Sequence, residues 1–149
     1  MLVGIHQPEH MPWLGFFDKM NKSEKFIILD DVQFRKNYFQ NRNKIIANQG
    51  EPVWISVTLL KGHLKDRINE KKIIKNTEVF PKKYINHIYE CYKKEKYFKI
   101  FSEEFFNLIE NCDVNLAKFN MELIYFFRKI FEIDTPIQFS SDLKYEGKK

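Results

Sequence analysis

Side chains able to move protons or bind anions gather at the ends of two short apolar runs near the start of the chain. Leu2, Val3 and Ile5 lead into His6, Gln7 and Pro8, with His10 just beyond; Phe26 to Leu29 leads into Asp30, Asp31 and Gln33. An imidazole titrates near neutral pH, so His6 or His10 can act as general acid or base, with Asp30 or Asp31 fixing its tautomer. A histidine satisfied by backbone partners at a strand end explains the same residues without catalysis. The four-residue spacing of His6 and His10 would suit a metal on a helix, but Pro8 lies between them and breaks helical geometry. No metal is expected.

A second group, Asn41-Arg42-Asn43-Lys44, joins a bidentate guanidinium to amides that both donate and accept, a set suited to phosphate or carboxylate. A solvated basic loop reads the same way. A third group is Ser140-Ser141 with Glu146, Lys148 and Lys149; its hydroxyls bond a ligand or cap a helix. Gly-rich phosphate loops, GxSxG, CxxC pairs and HExxH do not occur, so the common catalytic fingerprints offer no guide. No pattern specifies a cofactor.

These groups need elements to carry them. Short apolar runs bounded by polar residues suit buried strands, here Leu2–His6 and Lys25–Asp30. Between them Trp13, Phe16, Phe17 and Met20 fall at helical spacing, with Pro12 suited to the first turn. Parallel strands joined by a crossover helix bring their carboxyl ends to one sheet edge, where ligands of open α/β sheets bind. His6, Gln7 and His10 should therefore share a crevice with Asp30, Asp31 and Gln33. Met11 is a poor N-cap, which leaves the first helical amides open to an anion or to water.

Farther on, residues 31–48 follow no clean period. Pro52–Leu60 reads as a third strand, Lys61–Glu70 as a surface connection or lid, and Lys71–Ile74 as a short fourth strand. From Pro81 the period is helical, with Ile85, Ile88, Tyr89 and Tyr92 on one helix and Phe98, Phe101, Phe105 and Leu108 on the next. A last helix carries Leu116, Phe119, Leu123, Phe126, Phe127 and Ile130, and Pro136–Phe139 returns as a strand. The aromatic stripes are packing surfaces rather than a cofactor box. The expected fold is α/β, a mainly parallel, open, Rossmann-like sheet with helices on its faces and a helical cluster in the second half.

At 149 residues the chain forms one domain that buries roughly 70% of its unfolded surface. Its composition, 44% hydrophobic and 30% charged, excludes disorder. No run approaches the roughly 20 apolar residues of a membrane helix, and no signal segment opens the chain. A cytoplasmic protein with reduced, partly buried Cys91 and Cys112 is the expectation. The net charge of +5 comes from scattered lysines rather than blocks, which argues against nucleic acid as a partner.

The blocks His6-Gln7-Pro8, Pro12-Trp13-Leu14-Gly15-Phe16-Phe17-Asp18-Lys19, Asp30-Asp31-Val32-Gln33-Phe34 and Asn41-Arg42-Asn43-Lys44-Ile45, with Trp54 and Ser140-Ser141 behind them, resemble the WbqC-like proteins. The resemblance covers the whole chain. It implies a place in bacterial gene clusters that build surface polysaccharide such as O-antigen. Members carry Tyr-Leu where this chain has His10-Met11, so the family pattern lends His10 no role. Members also continue well past the equivalent of Lys149, which implies that this chain is the N-terminal portion of a longer protein with part of its site elsewhere. A fainter similarity links Gln7-Pro8 and the following helix to nucleotidyltransferases with an HxGH signature. Their Gly and second His are missing here, so shared architecture is implied but adenylyl transfer is not.

Together these readings point to a cytoplasmic transferase acting on a nucleotide-linked sugar precursor in surface-glycan synthesis. Arg42, Lys44 and the first helical amides would hold the diphosphate, with Asn41, Asn43, Gln7, His10 and Gln33 as further ligand contacts. Asp30 or Asp31 would accept from sugar or ribose hydroxyls, and His6 would move the proton. Trp13 and Trp54 stack on a ring or belong to the core. The alternative is a non-catalytic partner module for another glycan-assembly enzyme.

Overall fold

Side chains of a strand alternate between faces, and the register here puts Gly4, Phe26 and Ile137 in one row and His6, Ile28 and Phe139 in the next. These rows belong to a three-stranded parallel sheet of β1 (Val3–His6), β2 (Lys25–Ile28) and β5 (Ile137–Phe139), in the order β1-β2-β5. The computed structural model describes residues 1–63, 65–75 and 77–143. Phe26 and Ile28 are fully buried against Phe16, Phe17 and Met20 of α1 (Leu14–Asn21) and Met121 and Ile124 of α4 (Leu116–Ile130). Gly4 is required by close approach, because a Cβ there would overlap the Phe26 ring. On the opposite face Val3 and Ile27 stay half-buried and Ile5 is exposed. Among the described residues, helices thus cover one face of the sheet, not the two expected.

The stretch that shows no period contains a strand. β3 (Arg42–Ile46) pairs antiparallel with β4 (Pro52–Ser56) in a hairpin separate from the parallel sheet. Its turn places Gly50 at φ +83°, a conformation glycine adopts without strain. Ile45 and Ile55 face the core at 7% and 3% exposure, while Arg42, Lys44 and Trp54 face outward. Regular pairing in the expected third strand stops at Ser56. Ile73 and Lys72 make isolated bridges to Leu59 and Asn115, not a continuous fourth strand.

The second half is helical as the period requires: α2 (Lys82–Tyr92), α3 (Phe98–Asn111) and α4. Phe80, Phe105, Ile109, Phe119 and Leu123 form its core with Ile45 and Ile55 of the hairpin. Asn115 caps α4 by accepting from the Lys118 amide, a contribution of about 1 kcal/mol. The end of the expected surface connection is pinned: Ile68 is fully buried and donates its amide to Val32 O, and Asn69 donates its amide to the Asp30 carbonyl. Cys91 is half-buried in α2, and Cys112 is buried at the end of α3 rather than inside it; both are free. The chain is therefore a mixed α/β protein, with a small parallel sheet and four α-helices among the described residues. Among the described residues no helix is long and apolar enough to cross a membrane.

Candidate functional site

The loop after β1 is held by a buried polar network that the sequence does not announce. His10 is fully buried, with Nδ1 3.0 Å from Asn120 Oδ1 and Nε2 2.6 Å from the Tyr84 hydroxyl. Asn120 donates its amide hydrogens to Pro8 O and Gln40 O, so its Oδ1 must accept from His10 Nδ1–H. Nε2 then accepts from the Tyr84 O–H, and the imidazole is neutral with both nitrogens satisfied. Burial lowers the His10 pKa to about 4, against the Asn120 hydrogen bond that raises it; burial also pushes the Tyr84 hydroxyl up. Gln40 donates to Gln7 Oε1, and Asn43 donates to the carbonyls of His10 and Met11. His10, Gln7 and Asn43 thus join the first loop to the hairpin and to α4.

His6 sits at the end of β1 with Nδ1 3.1 Å from Gln7 O and its ring edge-on to Phe16. Glu9, 6% exposed, lies in the same loop, and burial raises its carboxyl more than the nearby His6 lowers it. Nothing in the residue types marked Glu9, which lies between a proline and a histidine. Trp13 occupies the N-cap position of α1 without capping it, 66% exposed, and its ring lies where a Cβ on Gly15 would be. Gln33 is exposed and bridges to Arg67.

Asp30 and Asp31 turn toward the end of β5. Asp30, 7% exposed, accepts from the Ser141 amide (3.1 Å) and hydroxyl (2.7 Å), the Ser140 hydroxyl (3.2 Å) and Asn69 Nδ2 (3.2 Å). The Ser140 hydroxyl also donates to Asp31. A carboxylate offers about four acceptor sites, so Asp30 is close to saturated and ties the ends of β2 and β5 together. Ser140 and Ser141 open a 3-10 turn, Ser140–Asp142; Glu146, Lys148 and Lys149 lie outside the described residues.

On the hairpin, the Arg42 guanidinium lies 4.2 Å from the Trp54 ring centre and Lys44 Nζ 5.2 Å from it. Arg42 also donates to Asn37 O, while its Nε is buried without a partner among the described residues. Asn41 donates to Val57 O. Of the four residues, then, the two asparagines staple backbone and the two cations share an aromatic face.

Beside Asp30 a cleft of about 450 Å³ opens among the ends of β2 and β5, the Ile68–Glu70 turn and the first turns of α4. Asp30, Asn69, Asn115, Lys118, Glu122 and Ser141 set polar groups into a mostly apolar lining that includes Ala117, Met121, Tyr125 and Phe139. Glu122 Oε2 is buried without a hydrogen-bond partner among the described residues. Burial pushes the Glu122 carboxyl up, more than the Asp113 backbone N–H lowers it. His6, Gln7, His10, Trp13, Gln33, Asn41, Arg42, Asn43 and Lys44 are not among its lining residues. The ends of β1 and β2 are neighbours (Leu29 donates to His6 O at 2.8 Å), but their side chains serve different partners.

The sequence profile of the WbqC-like protein family matches residues 7–149. A 72-residue stretch is 40% identical to an uncharacterized protein of Mycobacterium tuberculosis, Rv1507c, and spans 48% of this chain and 31% of that relative. No solved structure matches.

Proposed function

The chain belongs to the WbqC-like protein family, and on that premise we propose that it acts in bacterial surface-polysaccharide synthesis as a transferase on a nucleotide-linked sugar precursor. The supporting observation is the lining of the cleft beside Asp30. The remaining amide capacity of Asn69 and Asn115, the lone pairs of the Ser141 hydroxyl and the Glu122 carboxyl, whose Oε2 has no partner among the described residues, offer donors and acceptors in the mixture that sugar hydroxyls require. Tyr125 supplies an apolar wall for a ring face. The cleft lies at the carboxyl ends of parallel strands, where open α/β sheets place their ligands.

In this reading Asp30, already fixed by its donors, positions Ser141 and Asn69 toward the sugar. Glu122 is the proton-carrying group within the cleft, and His6 lies outside it. Asp30, Glu122 and Asp142 outnumber Lys118 along the lining, so the diphosphate belongs on cations outside it; Arg42 and Lys44 are the pair the hairpin presents.

Thermal stability in the presence of nucleoside diphosphates, nucleotide sugars and free sugars tests this, since a ligand that binds only the folded state raises the melting temperature. Nucleotide sugars should give a shift larger than either half alone. Glu122→Gln should remove the part owed to the sugar and Arg42→Ala the part owed to the diphosphate. No response to any of the three would remove the proposal.

The partner-module reading draws on a different observation: Leu2 and Ile5 are 58% and 47% exposed, on or beside the open face of a parallel sheet, a class usually covered on both faces. It expects no ligand response, and instead protection of Ile5 from exchange on mixing with a glycan-assembly enzyme.

A further inference from the structure

The helical half contains a second cavity, of about 570 Å³, whose lining is richer in aromatic rings than that of the cleft. Ile45 of the hairpin, Ile88 of α2, Phe105 of α3 and Phe126 of α4, all buried, are among its lining residues. Phe101 and Phe131, 37% and 41% exposed, also line it. Its volume is that of a small-molecule site. Such sites normally combine apolar walls with a few convergent polar groups that orient the ligand; here the buried lining just named carries none.

We propose that this cavity binds a single-chain amphiphile: a medium-length acyl chain in the cavity, with an anionic head at Lys96. Two observations select that occupant. The lining is mostly apolar, with its polar groups confined to Tyr92, Glu95, Lys96, Tyr97 and Ser102, which suits a chain with one polar end better than a heteroaromatic ring with polar atoms around it. Charge favours an anion at the rim: Lys94, Lys96 and Lys99 make no ion pair among the described residues. Of the three, Lys96 lines the cavity, with its Nζ 5.0 Å from the centre of the Tyr97 ring. Glu95, also on the lining, works against a second anionic group and favours a ligand with one charge.

Displacement of a fluorescent fatty-acid probe from the full chain tests the proposal. Decanoate and dodecanoate should displace it one-to-one and raise the melting temperature, while dodecyltrimethylammonium should compete at least tenfold more weakly. Ser102→Trp puts bulk into the cavity from a half-buried lining position and should abolish probe binding. Lys96→Glu, at an exposed position, should weaken dodecanoate about tenfold and leave dodecanol unchanged. Equal binding by wild type and Ser102→Trp, or equal competition by the cationic detergent, overturns the proposal. So does binding to anionic phospholipid vesicles without binding of free dodecanoate, which would make the cavity a membrane contact. A concentration-dependent dimer that excludes the probe would give the cavity to a second copy and also overturns it.

Discussion

The cleft beside Asp30 and the cavity among the helices are similar in size but are built by opposite means. The polar side of the cleft is framed by directional bonds, since Asp30 alone organises Asn69, Ser140 and Ser141; outside the cleft, the loop after β1 is fixed the same way through His10, Asn120 and Tyr84. Such groups have few acceptable replacements, because a lost partner leaves a buried donor or acceptor unsatisfied. The cavity is framed by packed rings of Phe105, Phe126 and Phe127, where volume matters more than identity. A site that must recognise hydroxyls needs the first construction; one that must only exclude water needs the second.

That contrast breaks most visibly at Asn120. Asn120→Ala would orphan Pro8 O, Gln40 O and His10 Nδ1 together, so we expect a loss of about 3–5 kcal/mol in denaturant unfolding. A loss under 1 kcal/mol would mean that the network does not hold the loop.

A pH titration sharpens the same point with no mutation. Burial keeps His10 neutral down to about 4, whereas the unperturbed imidazole titrates at 6.5. Between those values the unfolded chain takes up a proton that the folded chain refuses, so stability must fall as pH drops through this window. The total is about 3 kcal/mol, complete near pH 4. In His10→Gln this component should be absent, and an unchanged slope would assign it to other groups.

Smaller effects follow. Ser141→Ala removes one hydroxyl donor from a charged acceptor and should cost about 1.5–3 kcal/mol together with the sugar response. Phe101→Leu, at the edge of the apolar cavity, should cost under about 1.5 kcal/mol and leave that response intact. If the two variants cost the same and both lose the sugar, the two regions are one coupled unit.

How much could be read beforehand depended on whether partners are close in sequence. The β1-α1-β2 unit was legible because its apolar runs and the helical spacing of Phe16, Phe17 and Met20 are local patterns. β3 was not: its outward face carries Arg42 and Lys44, and its inward face mixes Asn43 with Ile45, so no alternation of polar and apolar remains. Asp30 and Ser140-Ser141 each stood out as polar residues after a strand, but their union spans 110 residues. Asn120 and Tyr84 carry no local signal, Asn120 lying within an apolar helix and Tyr84 just before the stripe of Ile85, Ile88, Tyr89 and Tyr92; only their contact with His10 shows their role. Glu9 gave no signal beyond its type.

The central claim is that the cleft beside Asp30 receives the sugar of a nucleotide-linked precursor, and calorimetric titration with a panel of nucleotide sugars tests it most directly. Saturable one-to-one binding in wild type, weakened at least tenfold by both Glu122→Gln and Ser141→Ala, is the result expected. Unchanged affinity in both variants would place the ligand elsewhere and contradict the account.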